Sequence, residues 1–273
     1  MQYAFSTLSC PAWSIEQVVA AARTTGYDGV ELRLLDGEVI DPVRDAAAVE
    51  RAVAACREGH VEVPILDTSC RFNIPQEGER AEQVATLRRW VALAGRLGVP
   101  LLRVFGGADD SEGSAGEADA RVAGALASVA PEAESAGVTI ALETHDAYSS
   151  AWRVARVLDA VRSPRVAALW DLHHPYRLGE APEQVIEALG SRIAFVHVKD
   201  ARRTSRGDDW DLVLLGEGEV PVRDQLAALA RHGYDGWVSV EWEKKWHPEI
   251  AEPEVALPQH IAWLKGAVHE PES

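Results

Sequence analysis

The stretch Ile193-Ala194-Phe195-Val196-His197 is a short apolar run that ends in a residue able to bind a metal ion. Three other apolar runs in the second half of the chain end in the same way, at Glu143, Asp171 and Glu241. In chain order the four terminal residues are separated by 28, 26 and 44 positions. Repeated strand and helix units would give this pattern if one divalent ion lay across the carboxyl ends of the strands of a barrel. The pattern therefore favours an enzyme.

Apolar runs alternate with helical patterns along the whole chain. The apolar runs cover residues 3–9, 29–34, 61–68, 101–105, 138–143, 166–171, 193–198 and 237–241. The helical patterns cover residues 14–25, 46–58, 79–97, 117–136, 150–161, 182–189, 222–231 and 253–265. Nearly continuous hydrophobicity is typical of parallel strands buried on both faces. Eight alternations predict a (β/α)₈ TIM barrel that occupies residues 1–273 as one domain.

A doubly wound open sheet is the alternative architecture. Its dinucleotide-binding form needs a glycine-rich turn after the first strand, and the segment Ser9-Cys10-Pro11-Ala12-Trp13 lacks one. No low-complexity linker divides the chain, and the one stretch rich in glycine, serine and acidic residues, residues 106–117, suits a loop over the active face. The barrel is therefore the better prediction.

Composition limits the class of partner. The 43 acidic residues outnumber the 27 basic ones and give a formal net charge of −16, which opposes a nucleic-acid role. No apolar run approaches the roughly 20 residues of a membrane span, and the amino terminus lacks the pattern of a secretory signal. Three widely spaced cysteines suggest reduced, buried thiols. We therefore expect a cytoplasmic protein that acts on a small molecule, with a homo-oligomer left open.

The four strand-end residues predict a metal site. Each of Glu143, Asp171, His197 and Glu241 alone could merely hydrogen-bond a neighbouring loop. Three carboxylates converging in a partly dry site would repel one another unless a cation neutralised them. An oxygen-rich set with one imidazole suits a hard divalent ion, so we expect Mn²⁺, with Mg²⁺, Co²⁺ or Zn²⁺ as alternatives.

The segments around these residues resemble the xylose-isomerase-like TIM-barrel superfamily of ketose 3-epimerases, hydroxypyruvate isomerase, inosose dehydratases and endonuclease IV. The matching segments are Ala141-Leu142-Glu143-Thr144-His145, Trp170-Asp171-Leu172-His173-His174, Phe195-Val196-His197-Val198-Lys199-Asp200, Leu215-Gly216-Glu217-Gly218-Glu219 and Val240-Glu241-Trp242-Glu243. In the epimerases the corresponding Glu, Asp, His and Glu bind the metal, and the histidine three residues after the Asp contacts the substrate. The resemblance thus implies a metal site at the four strand ends and a substrate contact at His174.

Further substrate contacts are expected around the barrel mouth, each with a structural alternative. His145 could reach substrate oxygens or lie over the rim, and Arg103 could bind substrate or form an internal ion pair. Lys199 could contact substrate or support the site through a salt bridge. Trp242 could contribute an aromatic wall against a sugar or pack in the core. The long connection over residues 199–220 is expected to lie near the substrate.

The resemblance implies that Glu143 and Glu241 are the catalytic pair, one removing and the other returning a proton beside a carbonyl. The first expectation is a metal-dependent isomerase or epimerase of a sugar or sugar phosphate that proceeds through an enediolate. The alternative is dehydration of a keto-polyol. A non-catalytic sugar-binding barrel and an endonuclease IV-like DNA repair enzyme are less favoured, the latter because Asp209-Trp210-Asp211 lacks the histidine that such nucleases place there.

Overall fold

Eight parallel strands form the centre of the molecule, whose computed structural model describes residues 1–109, 114–204 and 209–269. The strands are β1 (Gln2–Ser6), β2 (Gly29–Glu31), β3 (Ile65–Arg71), β4 (Leu101–Phe105), β5 (Thr139–Glu143), β6 (Val166–Asp171), β7 (Ile193–Val198) and β8 (Trp237–Val240). Their order in the sheet is β2-β1-β8-β7-β6-β5-β4-β3. Parallel bridges from Gly29 to Glu62 and from Leu32 to Leu66 join the two edges. The predicted (β/α)₈ barrel is confirmed.

Helices follow the strands and cover the outside of the sheet. They are α1 (Ile15–Thr25), α2 (Ala46–Glu58), α3 (Glu77–Leu97), α4 (Ala115–Ala136), α5 (Ala151–Val161), α6 (His173–Arg177), α7 (Pro182–Leu189), α8 (Val222–Arg231) and α9 (Pro253–His269). Ser14 with Gln17 and Ser114 with Glu117 form capping boxes that satisfy the first backbone amides of α1 and α4. Among the helices of the described part of the chain, none is long and apolar enough to span a membrane.

The apolar plug inside the barrel sets the position of the polar site. Five side chains on five adjacent strands form a buried cluster of their own: Ile65, Leu101, Ala141, Leu169 and Phe195. Side chains two residues apart on a strand share a face. The residues two positions further along the same five strands are Asp67, Arg103, Glu143, Asp171 and His197. The polar side chains therefore form the next layer, towards the carboxyl ends of the strands.

Three predicted strands differ from the structure by three or more residues at an end, and the one predicted at residues 29–34 ends at Glu31. The first ends at Ser6 instead of residue 9, because a 3₁₀ turn over Thr7–Ser9 begins there and the Ser6 hydroxyl accepts a hydrogen bond from the amide of Leu8. The third begins at Ile65 instead of residue 61, directly after Pro64, which has no amide hydrogen to donate to the sheet. None of these differences moves a predicted site residue.

Candidate active site and metal centre

The structure brings the four predicted metal ligands together. Single ligand atoms of Glu143, Asp171, His197 and Glu241 all lie within 4.8 Å of one another, and all four residues are buried. Nδ1 of His197 is 3.0 Å from Oε1 of Glu143 and 3.5 Å from Oε1 of Glu241. Three carboxylates and one imidazole nitrogen are thus arranged around one small volume. This donor set is of the kind that divalent ions bind.

The bonding of Asp171 supports that fit. Its Oδ1 accepts a hydrogen bond of 2.8 Å from the amide of His173, which fixes the carboxylate. Its buried Oδ2 has no hydrogen-bond partner in the part of the chain that the structure describes. The Lys199 ammonium is 2.9 Å away, but its direction of approach does not make a hydrogen bond. Lys199 thus offsets part of the charge on this oxygen without a hydrogen bond, and a bound cation could contact the oxygen directly.

Lys199 places a positive charge among these carboxylates. Its Nζ is 2.6 Å from Oε2 of Glu241 and 2.6 Å from Oε1 of Glu243. Burial alone would lower the pKa of Lys199, but Asp171, Glu241 and Glu243 together raise it well above its ordinary value. Lys199 therefore makes the salt bridge that the sequence allowed, next to one of the two proposed catalytic carboxylates.

The carboxylates of the cluster differ in their affinity for protons. Burial would raise the pKa of Glu241, but Lys199 and then His197 outweigh it and hold the pKa well below its ordinary value. The pKa of Glu143 is lowered too, because Arg103 and His197 outweigh the effect of burial. Burial raises the pKa of Asp171 to about 6 against the opposing charge of Lys199. The neighbouring cations therefore hold Glu143 and Glu241 in the ionised form.

Arg103 forms a buried bridge between two carboxylates. Its Nη1 donates to Oε2 of Glu143 and its Nη2 to Oδ2 of Asp67, both at 3.1 Å, and only 2% of the side chain is exposed. The guanidinium also lies 4.0 Å from the centre of the Phe105 ring. These contacts are the internal ion pair that was the alternative to substrate binding for Arg103.

Replacing Arg103 with Leu is expected to destabilise the fold by about 3–5 kcal/mol, because Asp67 and Glu143 would remain buried without their cation. Urea unfolding monitored by circular dichroism measures the change. The matched control is Arg156→Leu. It removes the salt bridge between Arg156 and Asp119, in which the Arg156 side chain is 59% exposed. That control should cost less than about 1 kcal/mol. Equal losses in the two variants would contradict a buried, mutually dependent network.

Two predicted substrate contacts, His145 and His174, lie side by side next to the cluster. Their ring centres are 4.5 Å apart, and Nε2 of His174 is 3.8 Å from Oδ2 of Asp171. Burial, followed by the charge of Lys199, lowers the pKa of His174 well below its ordinary value. In contrast, the Asp146 carboxylate, whose Oδ1 is 3.0 Å from Nδ1 of His145, raises the pKa of His145 despite its burial. A less basic imidazole beside Asp171 thus lies against a more basic one.

The connection after β7 also reaches this region. It contains an antiparallel hairpin of Asp200–Arg203 with Trp210–Val213, and the Trp210 ring packs 5.1 Å from the ring of His173. Asp200 holds the rest of the connection, because its carboxylate accepts hydrogen bonds from the amides of Gly216, Gly218 and Val220. A Cβ on Gly218 would lie 2.0 Å from Oδ1 of Asp200, so this close approach requires glycine. Residues 205–208 lie outside the described part of the chain.

Trp242 packs in the core of the molecule. Its side chain is 2% exposed, its indole N–H donates to the carbonyl of Ala251 at 2.9 Å, and its ring packs against His260. These contacts correspond to core packing, which was the alternative for this residue. They give no support to the expected aromatic wall.

Two buried acids of the site, Glu31 and Asp67, were not predicted. Oε2 of Glu31 is 2.9 Å from Nε2 of His197, and both side chains are fully buried. Burial raises the pKa of Asp67 well above its ordinary value, and the nearby Glu31 carboxylate adds to the effect. Glu31 ends β2 just as Asp171 ends β6, so the same strand-end pattern, applied to the first half of the chain, would have identified it.

Comparison with known proteins agrees with this architecture. The sequence model of the family described as xylose isomerase-like TIM barrel matches residues 19–267. An inosose isomerase from Bacillus velezensis is 24% identical over 237 residues, which cover 84% of this chain and 83% of that protein. Other curated relatives are named as 3-epimerases and dehydratases.

Solved structures share the fold at low sequence identity. The IOLI protein with a bound zinc atom superposes with a TM-score of 0.83 at 19% identity, over 98% of both chains. The probable 3-DHS dehydratase AsbF from Bacillus anthracis superposes with a TM-score of 0.75 at 18% identity, over 97% of this chain and 99% of that one. At these identities the likeness is evidence for the fold.

Proposed function

The chain belongs to the xylose isomerase-like TIM-barrel family, and we propose that it is a divalent-metal-dependent isomerase or epimerase of a sugar, a sugar phosphate or a related keto-polyol. The observation that carries the proposal is the convergence of Glu143 and Glu241 on the same nitrogen of His197, at 3.0 and 3.5 Å. Two ionised carboxylates that lie this close together can act as a pair of general acid–base groups. The names of the relatives support the reaction class.

Glu143, Asp171, His197 and Glu241 would hold the ion. When bound there, a divalent cation polarises a substrate carbonyl and lowers the cost of forming an enediolate. We expect Mn²⁺ first, with Zn²⁺, Co²⁺ or Mg²⁺ as alternatives. The zinc atom of the IOLI protein supports testing Zn²⁺ alongside Mn²⁺.

The two carboxylates would exchange the proton. One removes a proton from the carbon next to the carbonyl, and the other returns a proton to that carbon or its neighbour. Their second oxygens contact cations, Arg103 for Glu143 and Lys199 for Glu241. Lys199 has a further partner in Glu243 at 2.6 Å, so it can keep a salt bridge while Oε2 of Glu241 takes up a proton. His174 and His145 would contact substrate oxygens beside Asp171.

Dehydration is the second candidate. It begins with the same proton removal, but a hydroxide leaves from the next carbon and takes a proton from an acid on the enzyme. His145 packs against His174, and Lys199 contacts Asp171 and Glu241; the pKa of each is raised against burial by its carboxylate neighbours, so each would carry a proton. A similar fold in a protein named as a dehydratase supports keeping this candidate.

An exchange experiment in D₂O separates these reactions. The Mn²⁺-loaded protein is incubated with a panel of ketoses, ketose phosphates and inososes, and products are followed by NMR. We expect deuterium on a carbon next to the carbonyl together with an epimer or an aldose. A conjugated enone formed with loss of water would instead establish the dehydratase. Metal binding without exchange on any member of the panel would favour a non-catalytic sugar-binding barrel.

A further inference from the structure

The His197 ring is held at both of its nitrogens. Nδ1 faces the proposed metal ligands, 3.0 Å from Oε1 of Glu143, whereas Nε2 lies 2.9 Å from Oε2 of Glu31. None of these three side chains is exposed. An imidazole can bind a metal only through a nitrogen that carries a lone pair, so the partner of the other nitrogen decides which one is available.

Glu31 belongs to a closed ring of buried polar side chains. Ligand atoms of Glu31, Asp67 and His197 lie within 4.8 Å of one another. Arg103 continues the ring from Asp67 to Glu143 through two hydrogen bonds of 3.1 Å. The ring thus joins strands β2, β3, β4, β5 and β7. Two of its members, Glu143 and His197, are proposed metal ligands.

We propose that Glu31 is a positioning residue for the metal centre, an inference that rests on the proposed function. Its carboxylate accepts the Nε2 hydrogen of His197, which leaves the lone pair on Nδ1 pointing at the ion. Arg103, anchored by Asp67, orients Glu143 in the same way. Carboxylates that support a ligand histidine typically contribute about 10–100-fold to metal affinity.

The group of Glu31, Asp67 and His197 is a poor second metal site by comparison. The Arg103 guanidinium already neutralises Asp67 at 3.1 Å, and Nη1 of Arg33 donates to the backbone carbonyl of Asp67 at 3.2 Å. An added cation would face two arginine side chains. Hydrogen bonding to His197 accounts for Glu31 without that repulsion.

Substitution of Glu31 tests the inference through metal binding. Glu31→Leu removes the acceptor and is expected to weaken Zn²⁺ and Mn²⁺ binding by about 100-fold in calorimetric titration, whereas Glu31→Gln keeps an uncharged acceptor and should lose about 10-fold. The matched control is Glu62→Gln, an exposed carboxylate before β3, which should bind as the unsubstituted chain does. Circular dichroism verifies folding; if the Leu variant does not fold, the Gln variant decides.

A spectroscopic measurement reports on the tautomer directly. In Zn²⁺-loaded protein with ¹⁵N-labelled histidine, NMR should show one histidine whose Nδ1 binds the metal while Nε2 carries the proton. This signal should change in Glu31→Leu and persist in Glu62→Gln. Affinity unchanged within twofold in the folded Glu31 variants, or Nε2 bound to the metal, would overturn the role of Glu31 alone. If the unsubstituted chain binds neither ion, the proposed metal-dependent function fails, and the role of Glu31 fails with it.

Discussion

Glutamine in place of Glu143 or Glu241 is expected to lower kcat by about 10³-fold, since general acid–base groups contribute about 10²–10⁴-fold to a rate. The amide keeps the shape of the side chain and can still offer an oxygen to the ion, but it cannot take up a proton. Loss of metal would also stop turnover, so each variant is assayed at saturating Mn²⁺ with its metal content measured. Glu187→Gln, an exposed carboxylate on α7, is the control and should retain full turnover.

Isotope exchange makes this prediction sharper. If the two carboxylates act on opposite faces of the substrate carbon, each variant retains one working base. That variant should still exchange the proton of the epimer that presents its hydrogen to the intact carboxylate, and should not exchange the other epimer. The pattern should reverse between the Glu143 and Glu241 variants. A different result would exclude the paired mechanism: if one variant exchanges neither epimer and the other variant still exchanges both, a single carboxylate is the base.

The candidate metal ligands were predictable because each stands at the end of an apolar run. An apolar run marks a buried strand, and its last residue faces the mouth of the barrel, so Glu143, Asp171 and His197 could be placed on one layer from sequence alone. Each of them stands two residues beyond a member of the apolar plug. The position of each residue at the end of an apolar run therefore carried the prediction from the fold to the candidate site.

The partners of buried charges were not predictable in the same way. Arg103 pairs with Asp67 and Glu143, which are 36 and 40 residues away in the chain. Sequence shows that a charge in a buried strand needs a partner, but strand order and register decide which one it meets. Trp242 illustrates the same limit, because a residue near a strand end can face the mouth or turn into the core, and only the packing against His260 shows which.

The second large effect is expected on removing the metal. Dialysis against a chelator should reduce turnover to below about 1% of its initial value, because a metal Lewis acid supplies several kcal/mol of transition-state stabilisation and a loss of about 3 kcal/mol already lowers a rate about 100-fold. Restoration with Mn²⁺, Zn²⁺, Co²⁺ and Mg²⁺ in parallel identifies the ion that supports activity.

The metal-free protein should remain folded. Lys199 contacts Asp171 and Glu241, and Arg103 contacts Glu143, so two internal cations already offset the repulsion among the carboxylates. The ion should nevertheless raise the unfolding free energy by about 4 kcal/mol at 1,000 times its dissociation constant, through mass action alone. Calorimetry with and without Mn²⁺ measures that gain, and Asp171→Asn should reduce it by weakening the binding of the ion. Full turnover in protein shown to be free of metal would contradict the Lewis-acid role, while unfolding on chelation would show that Lys199 and Arg103 do not compensate the carboxylates.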